Sequence, residues 1–146
     1  MTIFQSAVGT RRQPVTAPEC AGEVNTARFT YIFATNFVAA SDKLELGALP
    51  ARARIVDATV IGVGIVTVTA KVGMMSGTLG DKNDARTVGA ELFTAAALNG
   101  NVTRLTTVAN FTNPAAETNR AIGVQLSSDV AGSAGKSITL DIYYTM

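Results

Sequence analysis

Near its C-terminus the chain reads Ser137-Ile-Thr-Leu-Asp-Ile-Tyr-Tyr-Thr145, with Ile138, Leu140, Ile142 and Tyr144 in one phase and Thr139, Asp141, Tyr143 and Thr145 in the other. Side chains along a strand alternate between faces, so this period of two specifies a strand with one buried face and one outward face. The period recurs in Ala27, Phe29, Tyr31 and Phe33, in Lys43–Leu46, in Ile55–Ile61 and in Ile122, Val124 and Leu126. Ile65–Val72 repeats it, with Val66, Val68, Ala70 and Val72 as the core set and Ile65, Thr67, Thr69 and Lys71 outward. Val102–Val108 reads as a further strand. About seven or eight such strands, separated by turns and by a long loop from Gly73 to Asp84, predict an all-β, two-sheet antiparallel β-sandwich. Only Thr87–Leu98 departs from the pattern. Val88, Leu92, Ala95 and Ala96 can share a helical face there, and Asn99-Gly100 supplies a stop, which predicts one short surface helix. Strands do not alternate with long helices, which argues against a doubly wound α/β fold.

A length of 146 residues fits one domain. Residues 1–25 show no sustained period and contain Pro14 and Pro18, so they read as an extended N-terminal arm, with 26–146 as the sandwich domain. Such an arm is expected to lie largely unpaired in the isolated chain and to order on a neighbouring subunit, anchored by Phe4, Val8 and Val15. Charged residues are 16% of the chain, against roughly 25% in ordinary soluble domains. The surface must therefore be clothed in Thr, Asn, Ser, Ala and Gly, which suits close contact with other protein.

The same composition narrows the chemistry. With no histidine, the chain lacks the commonest general base and metal ligand, and a Ser-His-Asp arrangement is impossible. Its single cysteine, Cys20, allows no intrachain disulfide, which fits folding in a reducing cytosol. Asp81, Asn83 and Asp84 begin like a calcium loop, but no glutamate stands at the twelfth position; Lys82 and Arg86 beside them predict a salt-bridged loop. Gly62-Val-Gly64 lacks the third glycine of a dinucleotide fingerprint. Net charge is +1 without runs of either sign, which gives no reason to expect nucleic-acid or membrane-surface binding. The stretch Ala58–Val72 is too short and too polar to span a bilayer, and the N-terminus lacks the pattern of a signal peptide. The expectation is a non-enzymatic protein with no cofactor and no metal.

A more specific signal begins at Leu46-Gly-Ala-Leu-Pro-Ala-Arg-Ala-Arg-Ile-Val-Asp-Ala58. With the Ile65–Gly73 strand, the Asp81–Asp84 loop, Thr94-Ala-Ala-Ala97, Arg120-Ala-Ile-Gly-Val-Gln-Leu-Ser127 and the final strand, it resembles the capsid cement (decoration) proteins of tailed phages over roughly Ala27–Tyr144. The resemblance extends to the cement protein of a short-tailed Bordetella phage. It implies a jelly-roll-like sandwich on the outer surface of the capsid, made in the host cytoplasm, partnered by the major capsid protein and by itself as a homodimer or homotrimer. Contact candidates under that reading are Phe4, Arg11 and Arg12 in the arm and Arg52 and Arg54 in the turn. One departure is Arg52, where the family often carries glycine, so the turn type there is open. The competing reading is a carbohydrate-binding or receptor-binding sandwich of a phage tail or fibre, for which Tyr143 is the best-placed aromatic.

Overall fold

The computed structural model describes residues 1–6, 23–106, 111–112 and 114–146. Among these are nine strands: β1 (Ile3–Gln5), β2 (Asn25–Ile32), β3 (Lys43–Leu49), β4 (Arg54–Val63), β5 (Thr69–Met75), β6 (Phe93–Ala97), β7 (Val102–Arg104), β8 (Arg120–Leu126) and β9 (Ser137–Thr145). They form a first sheet in the order β1-β3-β8-β5-β6 and a second in the order β2-β9-β4-β7. Every pairing is antiparallel except β1 with β3. The two sheets enclose one apolar core, as the alternation predicts for a β-sandwich.

The terminal strand shows how the sequence builds that core. Ile138, Leu140, Ile142 and Tyr144 are all fully buried, and the intervening residues face outward. From β2, Phe29 crosses to the first sheet and lies against Gly47; a Cβ there would stand 2.5 Å from the ring. Glycine at 47 thus sets how closely the sheets approach. At one end of the sandwich Phe4, Tyr31, Phe33 and Phe37 form an aromatic cluster, with centroids 5.1–6.0 Å apart and mostly edge-to-face.

Two expectations need correction. Thr87–Leu98 holds no helix; its second half is β6, paired with β5 through Thr69↔Ala97, Ala70↔Ala96 and Val72↔Phe93. Phe93 and Leu98, which the predicted face left out, are buried there alongside Leu92 and Ala96. Helix propensity separates alanine from strand formers by only ~0.7 kcal/mol per residue, less than burying these side chains contributes. Within the arm, Ile3–Gln5 joins the first sheet and Ile3 is buried. Phe4 is half-buried and packs on Tyr31 and Phe37 of its own chain. Finally, Ile65 is buried while Val66 is exposed, since Gly64 and Thr67 turn the chain with positive φ before β5 begins.

Candidate functional site

The two sheets treat their outer faces differently. Strands β3 and β8 are buried on both faces apart from half-buried Lys43, Arg120 and Gln125. Their outward side is covered by the segment 76–92. Val88 packs on Met75, Ala121 and Ile3 in a second apolar cluster. Gly123 lies beneath it, with no room for a side chain: a Cβ would be 2.9 Å from Val88. A buried ion pair locks the cover, as the Arg86 guanidinium donates to Glu45 and to the Ser76 carbonyl at 2.6 Å, and Gly80 N–H donates to Glu45 at 2.9 Å. Lys43 Nζ donates to the Arg86 carbonyl. The expected salt-bridged loop is therefore rewired. Arg86 pairs across the sheet with Glu45, while Asp81 and Asn83 accept backbone N–H bonds from Asn83 and Ala85 as turn formers.

The second sheet has no such cover among the described residues. Arg28 on β2 donates two bonds to Asp141 on β9, at 2.6 and 2.7 Å. Arg104 on β7 donates to Asp57 on β4 at 2.6 Å. Each guanidinium is pushed up from its ordinary pKa, first by the hydrogen bond to its carboxylate and then by the carboxylate's charge. Thr30 and Thr139 share a hydroxyl bond of 2.9 Å. Toward the other end of this face Ile32, Val63 and Val102 stand 53%, 51% and 65% exposed. A recess of about 490 Å³ opens between Val24, Val56, Asp57, Thr59, Arg104 and Tyr143. Apart from this recess the face carries paired charges, threonines and aliphatic side chains. It is suited to protein contact.

At one end of this sheet lies the arginine turn. Ala53 N–H donates to the Pro50 carbonyl at 3.2 Å, closing a four-residue turn with Arg52 at its third position. Arg52 has φ 64°, so arginine holds the left-handed conformation that type II turns demand and glycine supplies most easily. The turn is stapled to the connection before β8: Arg52 N–H donates to Ala116 at 2.6 Å, Ala51 N–H to the Asn119 side chain at 2.8 Å, and the Arg120 guanidinium to Ala53 at 3.0 Å. Burial lowers the pKa of Arg120. The Arg52 side chain reaches Glu117 at 3.2 Å with both partners exposed, and Arg54 is exposed at the start of β4. Arg11 and Arg12 lie outside the described residues. The structure thus places Arg52 and Arg54 at the same end of the second sheet, with Phe4 in the aromatic cluster.

Sequence reasoning passed over Arg28, Asp57, Arg104 and Asp141 as surface residues. Their outward phase was readable, but their pairing depends on β2 lying beside β9 and β7 beside β4, which no local pattern reveals. Among the described residues no three potential ligands are grouped to hold a metal ion, and no helix is long and apolar enough to cross a membrane.

No family model and no curated protein matches the chain. Among solved structures it is similar to a chain of the capsid of Ralstonia phage GP4, with 34% identity and a TM-score of 0.84 over 99% of this chain and 97% of that one. It shares the fold of a chain in the capsid asymmetric unit of cyanophage Pam1, with 20% identity and a TM-score of 0.61 over 93% and 95% of the two chains.

Proposed function

We propose that this chain, which belongs to a family of phage capsid proteins, decorates and cements the outer shell by bridging subunits of the major capsid protein. The observation that carries the reading is the outer face of the second sheet, bare among the described residues, together with the stapled Arg52/Arg54 turn, set against a first sheet whose strands β3 and β8 the chain covers itself. Cement that joins subunits around a symmetry axis needs a symmetric form and more than one contact, so that weak contacts sum. A homodimer or homotrimer would meet that need. Arg52 and Arg54 of the turn are proposed contacts, as are Phe4, Arg11 and Arg12 of the N-terminal arm. Kinship with the cement protein of a short-tailed Bordetella phage is part of the same proposal.

The strand order supports a jelly-roll-like winding. Strands β2 to β9 pair as nested hairpins: β2 with β9, β3 with β8, β4 with β7 and β5 with β6. Rolling such a nest gives two four-stranded sheets, to which β1 adds an edge.

Mixing the purified chain with bare expanded capsids tests the role. Saturable binding, weakened when Arg52 and Arg54 are both changed to Ala, is expected. A folded chain that ignores capsids at every concentration defeats the reading. One observation favours the alternative of a carbohydrate-binding module: Tyr143, Asp57 and Arg104 line one recess and offer a ring beside polar groups. A glycan array without hits removes it.

A further inference from the structure

The four sheet edges are unequal. Strands β1, β6 and β7 are three, five and three residues long, as expected for edges kept short against unwanted pairing. The fourth, β2, runs for eight residues without a proline or a lysine, and no strand among the described residues pairs with its free side. Its hydrogen-bonding groups can be assigned. Phe33 N–H donates to Lys136 O at 2.9 Å, continuing the β2–β9 register, and backbone groups alternate in direction along a strand. Phe29 and Tyr31 therefore address β9, whereas the N–H and C=O of Thr26, Arg28 and Thr30 point away from it.

We infer that the free edge of β2 is the contact through which two copies of this chain pair, antiparallel and about a two-fold axis, to make one continuous eight-stranded sheet. The inference deepens the cement reading and rests on it for the need of a symmetric form. An identical strand is a self-complementary partner in antiparallel pairing, because each outward donor meets the equivalent acceptor. Charge selects the register. A centre at Arg28 would set two guanidinium groups directly opposite, which is unfavourable across strands. A centre at Phe29 sets Arg28 opposite the partner's Thr30 and Thr26 opposite the partner's Ile32, and it uses the whole strand. Arg28 is already neutralised by two bonds to Asp141, so the rest of the contact is threonine and isoleucine. The bare faces of both copies then form one surface, with both arginine turns related by the axis.

The register gives the test. In a Cys20→Ser background, R28C and T30C are mixed under oxidising conditions, since paired strands bring opposite Cα atoms to about 5.5 Å, within disulfide reach. The mixture is expected to yield covalent dimer, and each variant alone about a tenth as much or less, because like positions are offset along the strands. Thr30→Pro removes an outward N–H while leaving the β9 ladder intact, so it should raise the dimer dissociation constant about ten-fold or more in a chain that still folds, as read by circular dichroism. Thr30→Lys should weaken the dimer by repelling the partner's Arg28, and Thr30→Glu should not. A wild-type chain that is monomeric or trimeric, free and on capsids, overturns the inference, as does cross-linking of these cysteines to the major capsid protein. Capsid binding is scored separately on the same variants. Saturable binding without the β2 cross-link sinks this contact alone, and a cross-linked dimer that ignores capsids sinks the cement reading alone.

Discussion

The outer faces of the two sheets solve the same problem in opposite ways. On the first sheet, Gly123 opens space for Val88, and Glu45 is buried because Arg86 reaches it from the covering segment. On the second sheet the equivalent layer is Arg28, Asp141, Asp57 and Arg104, paired with one another in the plane of the face, with Ile32, Val63 and Val102 left open to water. One face has its partner in the same chain. The other has charges neutralised and aliphatic groups exposed, as a surface needs when its partner arrives later. Similar residue types therefore do different work: a buried ion pair closes the molecule, and the ion pairs of the second sheet leave its face nearly neutral.

Breaking the cover should have the largest effect. Glu45→Ala leaves the Arg86 guanidinium buried without its carboxylate, and should destabilise the fold by ~3–5 kcal/mol in chemical denaturation. Replacing both residues with Met should destabilise less than either single change, because no charge is then stranded. If Glu45→Ala were nearly neutral, the segment 76–92 would not be a fixed part of the body. Next in size is Gly123→Ala, whose Cβ would meet Val88 at 2.9 Å and Met75 at 3.1 Å; overpacking of this kind costs about 1–3 kcal/mol. Thr139→Val on the bare face adds no clash of that kind, and should stay within about 0.5 kcal/mol.

The sandwich was legible because its strands obey one period. The face assignments for Phe29 and Phe33, and for the whole of Ile138–Tyr144, follow directly from alternation. What alternation misses is burial on both sides. Ala121-Ile-Gly-Val looks like a half-buried strand with small outward residues, yet Ala121 and Gly123 are small because another segment lies on them. Local pattern also misled at Thr94-Ala-Ala-Ala97, where alanines favour a helix but pairing with β5 decides for a strand. Of the candidate contacts, Arg52 and Arg54 were findable from the Leu49-Pro50 turn. The ion pairs of the bare sheet were not, because they join residues 113 and 47 positions apart in the chain.

Arg52 sharpens the comparison at smaller energy. A non-glycine residue at φ 64° is strained, and its exposed pairing with Glu117 contributes little. Arg52→Gly should therefore raise stability by about 0.5–1 kcal/mol, while losing a side chain proposed to touch the shell. Opposite signs for stability and capsid affinity are the expected result. Loss of both would mean that Arg52 supports the turn rather than reaching beyond it.

The smallest effect on stability falls on Val63 and Val102. Both are more than half exposed, so changing each to Thr should alter the unfolding free energy by less than about 0.5 kcal/mol. If the bare face is an interface, these same changes replace aliphatic surface that becomes buried on assembly, and capsid affinity should drop several-fold by about 1 kcal/mol per side chain. Binding and denaturation measured on the double variant separate the two possibilities. Affinity that falls while stability holds marks the face as one completed by a partner. Affinity that holds as well would mean that the second sheet is ordinary solvent-facing surface, and would move the capsid contact to the arginine turn alone.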